Sequence, residues 1–228
     1  EILTLHRFRE GLMKSRIALG NQIRGVLAEF GIVFPQASMR VGARITQMIE
    51  AASSNEVGEV VRLAIGHLLE AMRTLEEKVE EIERQLALWH HQSEASQRLA
   101  AVPGIGVLTA TALVASVGDA RNFRSGRQFA AWLGLVPRQC SSGERQRLQG
   151  ISKRGNTYLR WLLIHGARCV TRHTAGKPEG VRSWISQLLA RKHGSVAAVA
   201  LANRHARIVW ALLSKGCEYQ PRLAPAWG

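Results

Sequence analysis

The segment best equipped for chemistry is Ser141-Ser142-Gly143. It lies among Arg121, Arg124, Arg127, Arg138, Arg145, Arg147, Lys153, Arg154 and Arg160, with only Asp119 and Glu144 opposing them. A hydroxyl in such a field can attack a phosphodiester and form a phosphoserine link, while guanidinium groups stabilise the charge on the phosphoryl oxygens. From residue type alone an SSG segment is more often only a turn. A serine hydroxyl is also a poor nucleophile at neutral pH without a base or metal partner. Two-metal phosphoryl transfer would need several convergent carboxylates, and Asp119 is the single aspartate of the sequence. His165, Cys169 and His173 recur at intervals of four, with no evident fourth ligand and with Arg168 and Arg172 among them. Packing explains that row better than zinc does.

A second candidate lies just upstream. Residues 99–118 read LAAVPGIGVLTATALVASVG, two apolar helical runs joined by a tight turn at Gly104 and Gly106. Glycines there would turn backbone N–H groups outward at a helix start, the arrangement that grips a phosphate without reading bases. The turn resembles a helix-hairpin-helix element; an ordinary glycine-rich helical hairpin has the same signature. Leu99, Val102 and Ile105 would anchor it, and Ala110 and Ala112 would let the helices approach closely. Further on, ISKRGN precedes the apolar run YLRWLLI, so Asn156 is a candidate N-cap, with Lys153 and Arg154 placed for phosphates. Leu159, Leu162 and Leu163 mark the buried side of that helix, and Arg160 and Arg168 are expected on its exposed side.

Charge says where a polyanion would bind. The 228 residues carry a formal net charge of +14. Residues 1–98 hold 12 Lys and Arg against 13 Glu, whereas residues 99–228 hold 19 against 4 acids. The whole excess therefore sits in the C-terminal part, where phosphate neutralisation and counterion release would supply most of the affinity for nucleic acid. The composition, 46% hydrophobic and 21% charged, is that of a globular protein. No uninterrupted apolar run reaches the ~20 residues that span a bilayer. Three cysteines without a CxxC spacing suggest neither a disulfide framework nor a zinc ribbon.

The elements that must position these groups read as helices. Leu5, Phe8, Leu12, Leu19, Ile23, Val26 and Phe30 give residues 2–30 an amphipathic pattern, with Gly31 as C-cap. The stretch FPQASMRVG that follows reads as a connection. Val61, Ile65, Leu68, Met72, Leu75, Val79, Ile82, Leu86 and Trp89 then alternate spacings of four and three, a heptad seam that needs a partner helix. The first helix or a second subunit would serve equally. No period-2 alternation marks a strand. A last helix is expected over 195–214, with Gly216 as its stop. Its Val199, Ala202, Ile208 and Leu212 would pack, leaving Lys192, His193, Arg204, His205 and Arg207 on a basic solvent face. The class is all-α: a long helical coiled-coil hairpin, followed by a compact basic helical domain containing a helix-hairpin-helix element. The expected division is a helical linker and coiled-coil region over 1–98 and a compact basic domain with the helix-hairpin-helix element over 99–228.

Four blocks in one order carry a wider resemblance: LHRFREGLMKSRIALGNQIRGVLAEFGIVFPQ, VPGIGVLTATALVASVGD, the stretch from FRSGRQFAAW through CSSGERQRLQGISKRGN to LLIHGAR, and VALANRHARIVWALL. From residue 2 to about 215 the chain resembles the Insertion Sequence 110 transposase family, which is similar to bridge-RNA-guided recombinases. The resemblance implies a C-terminal transposase domain with a catalytic serine, the one before glycine in the SSG motif. That position is Ser142 here, with Ser141 the adjacent alternative. It also implies DNA and a guide RNA as partners, homo-oligomerisation through the coiled coil, a cytoplasmic, nucleoid-associated location without membrane contact, and an N-terminal RuvC-like domain with four acidic residues. That acidic domain is not in this sequence. Mg2+ is expected for the full-length enzyme through it, with no cofactor of this fragment's own and no metal ligands here. The fragment is then expected to bind nucleic acid without cutting or joining it alone. Glu144-Arg145 also departs from the Gly-Lys pair frequent in relatives. The nucleic-acid-binding residues expected are Gly104, Gly106, Arg124, Arg127, Arg138, Arg145, Arg147, Lys153, Arg154 and Arg160. The alternative function is a non-catalytic helix-hairpin-helix module for nucleic-acid binding and dimerisation.

Overall fold

A computed structural model describes residues 1–33, 57–142, 145–173 and 179–220. The stretch FPQASMRVG, Gly143 and Glu144 lie outside the described residues. The fold is all-α, with a single two-stranded sheet among the described residues. The chain divides into two compact units, residues 3–85 and residues 86–228.

The first unit pairs helix α1, Ile2–Glu29, with the Glu59–Gln85 part of helix α2, Glu59–Gln92. Arg9 bonds Glu83 at 2.6 Å and Arg16 bonds Glu76 at 3.3 Å, so the two helices run antiparallel. Ile23, Leu27, Ile65, Leu69 and Met72 form their core. Within the chain, α1 packs on the Ile65–Met72 part of that seam. Ile65, Met72 and Val79 are buried, while Val61, Leu68, Leu75 and Ile82 are half-buried. On α1 the buried line is set by Gly20, Ile23 and Leu27, and Phe8, expected on the apolar side, is 63% exposed. The stop at Gly31 is as expected. Its φ is 74°, its N–H donates to Ala28 O, and Ile32 N–H donates to Leu27 O. These two bonds make a Schellman cap.

The second unit holds α3 (Glu94–Ala100), α4 (Val107–Val117), a short 3-10 turn (Ala120–Asn122), α5 (Gly126–Trp132), β1 (Pro137–Ser142), β2 (Arg145–Ile151), α6 (Thr157–Arg172), α7 (Glu179–Leu189) and α8 (Gly194–Lys215). Side-chain caps stand at several of these starts. Ser93, Ser125 and Asn156 accept backbone N–H bonds from Ser96, Gln128 and Leu159. Asp119 caps the 3-10 turn. Each such side chain satisfies a donor that the helix itself leaves open. The core gathers Leu99, Val102, Ile105, Leu113, Phe129, Leu159, Leu163 and Val209 around α6 and α8. Helix α8 is long and apolar enough to pass for a membrane span. Its Ala197, Ala198, Leu201, Ala202, Ala206, Val209 and Leu212 are buried against the other helices, which accounts for that apolarity.

Two expectations fail here. A strand pair stands where none is expected: β1 and β2 are antiparallel, with Gln139 opposite Leu148, Cys140 opposite Arg147, Ser141 opposite Gln146 and Ser142 opposite Arg145. The strands are polar and lack apolar alternation, so no period-2 signal exists. Their base is fixed by packing instead, with Val136 and Ile151 against the core. His205, assigned to a solvent face, is buried. Its Nδ1 has no hydrogen-bond partner among the described residues.

Candidate nucleic-acid interface

The hairpin that ends at Ser142 is tied to the helical core at its root. After α5 the chain turns through Gly134 (φ 71°), and before α6 it turns through Gly155 (φ 92°). These two turns touch backbone to backbone. A Cβ on Gly155 would stand 1.9 Å from Trp132 O, and one on Gly134 would stand 2.0 Å from Arg154 O. No other residue type fits either position without moving the main chain. Two backbone bonds then zip the root: Ser152 N–H to Val136 O at 2.8 Å, and Lys153 N–H to Gly134 O at 3.2 Å. Asn203 on α8 adds a third tie, donating to Leu135 O at 3.1 Å.

Arg160 is the clasp across that root. Its Nη1 donates to Leu133 O at 3.1 Å and to Arg154 O at 3.3 Å, and its Nη2 donates to Thr157 Oγ1 at 3.2 Å. Expected on an exposed face, Arg160 is buried. The reason is tertiary: two carbonyls from separate turns converge at the first turn of α6, and a guanidinium can bond both. Such a group ties the two turns to α6.

The remaining cations sit as follows. Arg124, Arg127, Arg138, Lys153 and Arg154 are exposed. Arg127 lies on α5, Arg138 on β1, and Lys153 and Arg154 in the segment between β2 and α6. Lys153 adopts a φ of 55°. Arg145 opens β2 opposite Ser142, and Arg147 pairs with Cys140. The root therefore brings Arg138, Lys153 and Arg154 to one neighbourhood, while Arg124 precedes α5 and Arg127 lies in its first turn. Arg121 is paired with Asp119 at 3.0 Å. Hydrogen bonds from the Arg121 side chain hold the Asp119 carboxyl below the usual carboxylate range.

The glycine turn divides into two roles. Helices α3 and α4 are joined by residues 101–106, with Leu99, Val102 and Ile105 buried as anchors. Gly104, at φ 91°, faces α6: a Cβ there would meet Val170 Cγ2 at 2.6 Å and Gly166 O at 2.9 Å. Its place is thus a close approach of two backbones, which requires glycine there. Gly106 is exposed, caps α4 with φ −89°, and has open space where a Cβ would stand. Only Gly106 of the pair stands at an accessible helix start.

No group of three or more His, Cys, Asp or Glu converges among the described residues. His165 and Cys169 on α6 and His173 at its C-cap are exposed, and His165 stacks on Trp161 with centroids 5.2 Å apart. Sequence reading also missed Trp184. Arg204 Cζ lies 5.0 Å from the Trp184 ring centroid. An isolated tryptophan in EGVRSWISQLL gives no hint of an arginine twenty residues later.

Comparison with known proteins adds a family likeness. The chain is similar to a "Probable family 20 transposase" of Pseudomonas aeruginosa, 47% identical over 227 residues, with 96% of this chain and 65% of the relative covered. It is 39% identical over 222 residues to the "Transposase for insertion sequence element IS1111A" of Coxiella burnetii, covering 96% of this chain and 60% of that one. It is 38% identical over 215 residues to the "Transposase for insertion sequence element IS1328" of Yersinia enterocolitica, covering 94% and 63%. The chain spans less than two thirds of the length of each of these relatives. Residues 96–180 match the family described as "Transposase IS116/IS110/IS902 family". That stretch holds the α3–α4 turn, the clasped hairpin and α6, and by this match and these likenesses the chain is a relative of the IS116/IS110/IS902 transposases.

Proposed function

We propose that this chain is the nucleic-acid-handling part of a DNA transposase and that Ser142 is its nucleophile. One observation carries the reading. The serine marked by the resemblance closes β1 of a hairpin whose root is locked by Arg160 and two glycine turns, inside the segment that matches the family. A rigid root lets a backbone ladder hold a nucleophile at fixed reach from phosphates neutralised at that root. In the step proposed, Ser142 Oγ gives up its proton and bonds phosphorus. The P–O3′ bond breaks, the 3′ oxygen leaves as a hydroxyl, and the DNA 5′-phosphate stays on the serine.

The described residues do not fit a site for Mg2+, so no step here runs through one. Carboxylates from another part of the full-length enzyme would supply it, and the chain alone binds DNA without cleaving it. Guide RNA and oligomer formation through the helical region of residues 1–98 belong to the same reading, with residues 99–228 as the serine domain. So does a place in the cytoplasm, at the nucleoid.

The test is Ser142→Ala in the complete protein. Recombination is abolished while DNA binding persists; normal recombination by that variant would sink the assignment. It would favour instead a module that binds nucleic acid without chemistry.

A further inference from the structure

A groove beside the root of the hairpin is left without a role. The root of the hairpin, α7 and α8 enclose a cavity of about 1090 Å³. Pro137, Gly150 and Ile151 form its hairpin wall, Val196, Val199 and Ala200 give it an apolar floor, and Trp184 stands on the α7 side. Four cations line it: Arg138, Lys153, Arg204 and Arg207. Among its described lining residues there is no Asp or Glu. It exceeds the ~300–1,000 Å³ that encloses a single drug-sized ligand.

This combination selects its occupant. Four cations, with no carboxylate among the described lining residues, favour a polyanion over an ordinary peptide. An apolar floor and an aromatic wall favour a ligand with flat apolar faces between its charges. The Arg204 guanidinium lies over the Trp184 ring, so the wall is a stacked pair, the kind of platform on which unpaired bases sit. In a duplex the base faces are covered by their neighbours, so such a platform has nothing to take hold of. Burial is the largest influence on Arg204 and lowers its pKa, Tyr219 opposes this, and Arg207 adds to the lowering. An anion in the groove would offset the repulsion between Arg204 and Arg207.

We propose that this groove binds a short unpaired stretch of DNA, with a base stacked at Trp184 and phosphates on Arg138, Lys153, Arg204 and Arg207. The choice of DNA rests on the reading of Ser142, since β1 runs from the groove wall at Pro137 and Arg138 directly to that serine. A strand seated here lies along the approach to the nucleophile. The site adds to a phosphate-binding surface something that surface lacks, a preference for melted over paired DNA.

The experiment measures binding of this chain to a fluorescein-labelled single-stranded oligodeoxynucleotide, to its duplex and to the matching oligoribonucleotide, by anisotropy at fixed salt. Trp184→Ala weakens single-stranded DNA about tenfold or more, the size of effect that removing one base–aromatic stack gives. Duplex binding moves by less than about twofold, and Trp184→Phe keeps most of the single-strand affinity. Arg127→Ala, whose residue lies on α5 outside the groove, affects both DNAs alike. Anisotropy reads binding alone, so the groove is judged independently of the chemistry assigned to Ser142. Equal loss for single strand and duplex, or loss confined to the oligoribonucleotide, overturns the proposal. Because Trp184 also packs on the core, its variants are compared only once their circular dichroism matches wild type. A second measurement needs no substitution: photocrosslinking of wild-type chain to a 5-iododeoxyuridine oligomer places the adduct on Trp184, and adducts found only elsewhere overturn the assignment.

Discussion

Arg160 on α6 donates to the carbonyl oxygen of Leu133, 27 residues earlier in the chain, at 3.1 Å with both groups buried. Together with its bond to Arg154 O, this closes the root of the hairpin that carries Ser142. Removing the guanidinium deprives both carbonyls of that donor. Arg160→Met is expected to lower stability by about 1–3 kcal/mol, the cost of an unsatisfied buried partner. Urea denaturation measures it. Arg160→Lys does not restore the loss, because one ammonium lacks the planar fork that spans two acceptors. An unchanged midpoint for Arg160→Met would show that the clasp contributes nothing.

The same residue separates structure from binding. Arg138→Ala and Arg154→Ala are expected to weaken duplex DNA and to flatten the log–log salt dependence, by roughly 0.9 for each phosphate no longer neutralised. Arg160→Met leaves that slope as it is once folding is intact. Anisotropy titrations across a salt series decide the matter, and a slope change for Arg160→Met alone would reverse these roles.

Gly104 and Gly166 are expected to tolerate no side chain. A Cβ on Gly166 would stand 1.9 Å from Gly104 O, and one on Gly104 would meet Gly166 O at 2.9 Å. Gly104→Ala and Gly166→Ala each lower stability by about 1–3 kcal/mol or more through overpacking, with left-handed strain added at Gly104. Gly106→Ala, with open space at its Cβ, leaves the denaturation midpoint near wild type. If Gly106→Ala weakens DNA binding while stability holds, the exposed start of α4 is a contact point.

His205 makes the second unit acid-sensitive. Burial, followed by the neighbouring Arg204, lowers its pKa to about 4 from an ordinary 6.5. Above about pH 6.5 both folded and unfolded chains hold it neutral, and its contribution is constant. Below that, the unfolded chain takes up a proton the folded one refuses, so stability falls as pH drops toward 4. At 1.36 kcal/mol per unit the loss reaches about 3 kcal/mol. His6 in the first unit, lowered to about 4 by burial and then Arg9, acts in the same direction there. Urea midpoints between pH 7 and pH 4 check this, and His205→Leu flattens the profile of the second unit. A profile unaltered in His205→Leu would mean that another group titrates.

In the helical pair of the first unit, packing outweighs the salt bridges. Leu69→Ala is expected to cost about 2–5 kcal/mol. Arg16→Ala, removing a partly exposed pair with Glu76, costs no more than about 1 kcal/mol. Thermal denaturation of the two variants ranks them, and a reversed order would make the ion pairs the main tie.

What the sequence by itself determined is the local grammar: the spans of α1, α2, α6 and α8, the Asn156 cap, the Gly31 and Gly216 stops, and the anchors of the 101–106 turn. Periodicity, side-chain acceptors and left-handed glycines act within a few residues, so they are visible in one line of text. Tertiary structure decided the rest. Which residues of α1 packed on the seam of α2 depended on how the two helices met. Arg160 went inside because Leu133 O and Arg154 O, distant in sequence, arrived at one point. Gly104 turned toward Gly166 for the same reason. The polar strands around Ser142 carry no alternation to read, and they pair because the clasped root delivers them side by side.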